Sequence, residues 1–229
     1  MRRKSVLDLL DQYSGYQDNS EKHYYENMLH TLIMPMKKNS TEIDYDQHNL
    51  WIIDDRLSFF SCFYSDNLIG NYSDTNSKDR TDITLFYENC YLWTEENKNT
   101  VVLIEFKRPG RNDYKRGEKD DPFYQIVKYI KTIKAGNLKL PSGKIMPAAL
   151  KDATFHAYII ADITPTLKDD IFYGIGLTET PDKEGLYGYI SNPSAFIEII
   201  SYNKLLSDAK KRNSIFFNKI GLTNTDPRQ

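Results

Sequence analysis

Four consecutive aliphatic residues, Val101-Val102-Leu103-Ile104, run directly into Glu105-Phe106-Lys107-Arg108-Pro109. The apolar run predicts a strand buried on both faces. Side chains alternate along a strand, so Glu105 and Lys107 share one side and Phe106 takes the other. Pro109-Gly110 ends the strand, because proline has no N–H for the ladder. Charges at the end of a core strand are costly unless paired, hydrated or bound to a metal. Any fold for this chain has to place that carboxylate and that ammonium side by side.

The residues to either side narrow the choice. At 229 residues the chain can build one sizeable core. The division expected is an N-terminal helix or connector over residues 1–19, a single domain over 20–223 ending in a helix, and a frayed tail over 224–229. With 40% hydrophobic and 27% charged residues the composition is that of a globular protein, and its 17 tyrosines offer core area with a polar handle. A net charge of -2 excludes a globally basic nucleic-acid coat, so any such contact is local. Cys62 and Cys90 lack the spacing of a zinc site or a disulfide framework, which fits a reducing, cytoplasmic setting. Asp8 and Asp11 interrupt the apolar stretch behind Met1-Arg2-Arg3-Lys4, which argues against a secretory signal. No apolar run reaches the length of a membrane span, so a soluble protein without a membrane partner is expected.

Periodicity predicts helices over residues 4–13, 20–34 (Ser20 as N-cap, Pro35 as stop), 49–64, 122–134 and 202–220. In the last, Leu205, Leu206, Ala209, Ile215, Phe216 and Ile220 form the expected apolar side. Residues 37–47 and 67–79 read as loops. Strands are expected over 80–87, 101–106, 155–162, 185–190 and 196–202, the first two as a hairpin. In the first, Asp82, Thr84 and Phe86 share a face opposite Ile83, Leu85 and Tyr87.

The order of motifs resembles the PD-(D/E)XK nuclease superfamily, also called restriction-endonuclease-like. The likeness rests on Arg80-Thr81-Asp82, with Thr81 where the family name has proline, on Ile104-Glu105-Phe106-Lys107, and on Gln125-Ile126-Val127-Lys128-Tyr129, a Q-x-x-x-Y element. It covers roughly residues 20–165. The resemblance implies an α/β fold whose central mixed β-sheet is flanked by helices, and Mg²⁺- or Mn²⁺-dependent hydrolysis of phosphodiesters, DNA ahead of RNA. It implies that Asp82, Glu105 and the backbone carbonyl of Phe106 hold the metal. Lys107 then assists the attacking water or the transition state, and Gln125 and Tyr129, four apart on one helical face, support the site. A glutamate on the first core helix is common in the family, and Glu26 takes that place, with Glu21 behind it. Residues from His48-Asn49-Leu50-Trp51 to Tyr202-Asn203-Lys204-Leu205-Leu206 also look like the C-terminal part of larger bacterial ATPase proteins. This implies a defence module with an ATPase partner or a missing ATPase domain, and leaves a homodimer open.

The chemistry is consistent with those residue types. Phosphodiester hydrolysis needs a water-derived nucleophile and relief of charge on the phosphoryl oxygens. Carboxylates on neighbouring strands are hard oxygen ligands for such an ion. Two further triplets of the same form, Glu96-Asn97-Lys98 and Asp208-Ala209-Lys210, lack the apolar strand in front. The competing reading leaves Glu105 and Lys107 on a solvated strand end, paired with Arg80 or with each other. Arg108, Arg111, Lys115, Arg116 and Lys119 follow the strand and are candidates to meet phosphates, though Glu118, Asp120 and Asp121 dilute them. Lys210, Lys211 and Arg212 read as a wet helix face. His23, His30, His48 and His156 lack zinc spacing and read as structural. Asp54, Asp55 and Asp162 read as solvated helix or strand-end carboxylates. No glycine-rich loop or other kinase motif accompanies the lysine strand, and no P-loop is present. A non-catalytic nucleic-acid-binding or assembly domain that keeps the fold is the alternative.

Overall fold

A computed structural model describes residues 2–16, 23–58, 60, 62–87, 100–146 and 150–221. In chain order the elements are α1 (Arg2–Ser14), α2 (Glu26–Ile33), β1 (Lys38–Asn39), β2 (Cys62–Leu68), β3 (Arg80–Tyr87), β4 (Thr100–Phe106), α3 (Pro122–Lys134), β5 (Leu138–Lys139), β6 (Ile145–Met146), β7 (Thr154–Ile160), β8 (Thr178–Glu179), β9 (Gly185–Ser191), β10 (Ser194–Ile200) and α4 (Tyr202–Lys219). Eight strands form one mixed sheet in the order β1-β2-β3-β4-β7-β10-β9-β8. The parallel trio β4, β7 and β10 lies at its centre, and the pairs outside it are antiparallel. The molecule is therefore an α/β protein with helices on both faces of a large mixed sheet.

Two cores follow from the alternation along the strands. On one face Val101 and Leu103 of β4 join Ala157 and Ile159 of β7 under Ile126, Ile130 and Ile133 of α3. On the other, Val102, Ile104 and Phe106 meet Leu7 and Leu10 of α1, Leu29 and Ile33 of α2, and Tyr202 and Leu205 of α4. So α1 is part of the same core as the rest. Among the described residues, no helix is long and apolar enough to cross a membrane.

Local chemistry explains the helix ends that the sequence announces. Asp121 caps α3 by accepting from the Tyr124 N–H at 2.9 Å, and Pro122 opens the first turn. Ser201 caps α4, its hydroxyl accepting from the Lys204 N–H at 3.0 Å. The strands β3, β4, β7, β9 and β10 fall within two residues of the expected positions.

Three expectations need correction. The helix expected over 49–64 is absent: Leu50–Ile52 and Asp55–Ser58 form 3₁₀ turns, and the chain then enters β2. Asp54 turns its carboxylate onto the Arg56 N–H and guanidinium, favouring a turn over a continuing helix. Cys62–Ser65 are buried, and a short strand covered on both sides carries no period to distinguish it from a helix. Second, α2 begins at Glu26, with Tyr24 and Tyr25 outside it; Ser20, the expected cap, lies outside the described residues, and Tyr25 stands at the N-cap without a side-chain bond. Third, α4 buries Tyr202, Leu205, Ala209, Asn213 and Phe217, while Ile215, Phe216 and Ile220 are exposed. Arg3 on α1 bonds Asn213 at 2.9 Å, which turns that side of the helix inward. The connection of the expected hairpin, residues 88–99, and with it the triplet at Glu96, lies outside the described residues.

If α1 is integral, truncating Leu10, which is fully buried, has to weaken the whole domain. Leu10→Ala should lower unfolding stability by about 2–5 kcal/mol in one cooperative urea transition. A loss under about 0.5 kcal/mol, the size of an ordinary surface change, would show that α1 is peripheral.

Candidate active site

The three residues singled out on β3 and β4 come together where the central strands end. The β3–β4 ladder runs to Ile83 opposite Ile104, so one step further Asp82 stands opposite Glu105. The Lys107 ammonium donates to Glu105 Oε1 at 2.7 Å, and the two side chains are only 5% and 6% exposed. The pairing foreseen by the competing reading thus exists, but in a buried setting. Arg80 is engaged elsewhere, with its guanidinium on Asp66 at 3.1 Å.

Asp82 closes the other side. Its Oδ2 accepts from the Phe106 N–H at 2.7 Å, and its side chain keeps 22% exposure, more than its neighbours. Burial pushes its pKa well above the usual carboxylate range, and the charges on Glu105 and Glu26 push it further. Glu26, at the first turn of α2, is also raised: burial is the main cause, Glu105 adds to it, and Lys107, Arg111 and a hydrogen bond from the Arg108 N–H oppose it. For Lys107, burial favours the neutral form, yet Glu105, Glu26 and the Glu105 hydrogen bond prevail and raise its pKa. When all are ionised, three carboxylates face one ammonium.

The frame behind this cluster is backbone and aromatic. The Lys107 N–H continues the ladder to the Ile160 carbonyl at 2.9 Å, and the buried Tyr202 hydroxyl donates to the Lys107 carbonyl at 2.7 Å. Asp162 accepts from the Gly110 N–H at 2.7 Å and the Tyr202 N–H at 3.3 Å, tying the loop after β4 to α4. Gly110 has φ 65°, a conformation that favours glycine, and a Cβ there would lie 2.2 Å from His23 Nε2 unless that side chain moved.

On α3, Tyr129 is buried, its phenol pushed up first by burial and then by Glu105 and Asp82, which places it within electrostatic reach of both. Gln125, one turn earlier, holds a buried Oε1 without a hydrogen-bond partner among the described residues. The basic loop is less available than its sequence suggests. Arg111 is bound to Asp113 at 2.7 Å and Asp120 at 2.9 Å, so its guanidinium is already engaged. Arg108, Lys115 and Arg116 are exposed, with Lys115 3.7 Å from Glu118. Glu21 lies outside the described residues. Asp54 is paired with Arg56, and Asp208, in α4, contacts Lys204 at 3.3 Å.

Sequence reasoning missed His30 and Ser65. His30 is buried on α2, with Nε2 2.9 Å from Ser65 Oγ, Nδ1 3.8 Å from Asp82 Oδ1, and its ring stacked on Phe106. A lone histidine on an apolar helix face carries no signal of that neighbourhood. Burial lowers its pKa to about 4, so it is neutral at pH 7.

The donor set fits a hard divalent cation in kind: crowded, partly desolvated carboxylates with an excess of negative charge. Among the described residues, however, no three His, Cys, Asp or Glu side chains already form a cation cage, and one Glu105 oxygen is held by Lys107. Comparisons with protein-family models, curated proteins and solved structures found no match.

The crowding has a consequence for stability. In the unfolded chain Asp82 ionises at about pH 3.9; in the fold its pKa is higher. Between those values the native state holds a proton that the unfolded state has lost, so this group's contribution falls as pH rises. Asp82→Asn keeps an oxygen for the Phe106 N–H and removes the charge. In EDTA the variant should have a higher urea midpoint than the wild type at pH 8, with the gap narrowing toward pH 4. A midpoint at pH 8 equal to or below that of the wild type would contradict the assigned environment.

Proposed function

We propose that this chain is a metal-dependent nuclease with a restriction-endonuclease-like core that hydrolyses nucleic-acid phosphodiesters, DNA ahead of RNA. The observation that carries the reading is the meeting of Asp82 and Glu105, from adjacent strands, beside the buried Lys107. Asp82, Glu105 and the Phe106 carbonyl would hold Mg²⁺ or Mn²⁺. Such an ion supplies a water of lowered pKa and neutralises charge on the phosphoryl oxygens.

The chain's own groups account for the rest. Lys107 orients the water or stabilises the charge that develops in the transition state, and burial strengthens that interaction. Its ammonium is fixed by Glu105 before substrate arrives, so little reorganisation is needed. Glu26, at the start of α2, shares the electrostatics of the cluster. The unpartnered Gln125 oxygen and the Tyr129 phenol are the groups of α3 suited to hydrogen-bond site components. Arg108, Lys115, Arg116 and Lys119 are exposed cations of the loop that could meet backbone phosphates. A role in bacterial defence, beside an ATPase partner, belongs to the same reading.

One observation favours a second reading, a nucleic-acid-binding or assembly domain that does not cut: Glu105 is already neutralised by Lys107. A digest of linear, circular and single-stranded DNA and of RNA, in Mg²⁺, Mn²⁺ or EDTA, separates the two. Cutting should require the cation and fall by about 10²-fold or more in Glu105→Ala and in Lys107→Ala, the scale of losing a transition-state contact. Cation-dependent cutting that survives unchanged in both variants rules out this site. Tight DNA binding without cutting under every condition favours the second reading.

A further inference from the structure

Ser65, His30 and Asp82 form a chain of contacts, from a fully buried hydroxyl through a buried ring to a partly exposed carboxylate. The arrangement has the order of a nucleophilic triad, but Ser65 is 0% exposed and cannot meet a substrate. What it can do is set the ring. A neutral imidazole has one N–H and one lone pair, and the partner of one nitrogen decides the state of the other.

The two tautomers differ sharply in this setting. With hydrogen on Nε2, Ser65 Oγ is the acceptor and the Nδ1 lone pair faces the Asp82 carboxylate, which is repulsive. With hydrogen on Nδ1, the Ser65 hydroxyl donates to Nε2 at 2.9 Å and the N–H dipole faces Asp82 Oδ1 at 3.8 Å. At that distance the contact is electrostatic rather than a hydrogen bond. Phe106 fixes the geometry twice over: its ring stacks on His30 with centroids 5.3 Å apart, and its N–H holds the other Asp82 oxygen at 2.7 Å.

We propose that Ser65 and His30 form a positioning relay behind Asp82, the Ser65 hydroxyl holding His30 in the Nδ1–H tautomer so that this N–H orients the carboxylate. The value of the relay to metal binding rests on the nuclease reading above; the tautomer does not. Partners behind metal ligands commonly act this way, by fixing the orientation of the coordinating group.

The tautomer is read directly from ¹⁵N chemical shifts of histidine-labelled wild-type protein at about pH 7.5. Nδ1 of His30 should be protonated and Nε2 should not; a protonated Nε2 overturns the relay. Affinity for Mn²⁺, measured by calorimetry, gives a second readout. His30→Asn puts an amide N–H near the position of Nδ1, whereas His30→Gln mimics Nε2 and His30→Leu mimics neither. The Asn variant should stay within about 3-fold of wild type, while Gln and Leu should weaken binding about 10- to 100-fold. Equal affinity in all three folded variants overturns the positioning role. Absence of Mn²⁺ binding by the wild type counts against the nuclease reading, and the tautomer measurement still decides the relay.

Discussion

The buried pair between Glu105 and Lys107 is the constraint around which the sheet end is built. Either charge alone at this depth would cost several kcal/mol, and their attraction offsets that only where the remaining polar groups are also satisfied. The surrounding elements meet that condition. β7 takes the Lys107 N–H, α4 takes its carbonyl through Tyr202, and β3 takes the Phe106 N–H through Asp82. Strands from both sides of β4 and a helix from one face therefore have to arrive in register at the same place. Asp162 makes the arrangement tighter, because one carboxylate binds both the loop after β4 and the first turn of α4.

That dependence explains what the sequence revealed. Glu105 and Lys107 were visible because an apolar run supplied a frame in which charge is anomalous. Asp82 was visible because its strand alternates cleanly and precedes that run. The ends of α3 could be read because Asp121 and Pro122 act locally. Where the determinants are distant, reading failed. Nothing between residues 49 and 64 states that β3 will pair with Cys62–Leu68 and turn an apparent helix into a strand. The inward side of α4 is set by Arg3 bonding Asn213, 210 positions away. Ser65 was invisible in the site for the same reason, since it follows directly on the expected helix over 49–64 and nothing near it announces the strand beside that of Asp82.

The same burial that makes the cluster expensive makes it responsive. Asp82, Glu26 and Glu105 raise one another's energy because little water remains to screen them, and a single ammonium does not balance them. Such a cluster lowers its free energy by taking up protons or by taking up a cation. These alternatives compete for the same oxygens, so proton and cation binding are linked: whatever raises the carboxylate pKa values weakens cation binding at low pH. The neutral His30 fits this balance. A charged ring there would offset the charge of Asp82, whereas a neutral ring leaves that charge unbalanced.

The loop after β4 shows how charge is divided between holding the fold and meeting a ligand. Arg111 reaches Asp113 and Asp120, stacks over Tyr114 with its guanidinium 5.1 Å from the ring centre, and still adds a favourable charge for Glu26. A guanidinium so engaged orders the loop and has little capacity left for a phosphate. Arg108 has the reverse arrangement: its backbone N–H is directed to Glu26 while its side chain is exposed. One residue thus contributes its main chain to the anionic cluster and leaves its cation at the rim. For a polyanionic substrate that separation matters, because a cation beside the cluster can offset repulsion on approach without neutralising the carboxylates themselves.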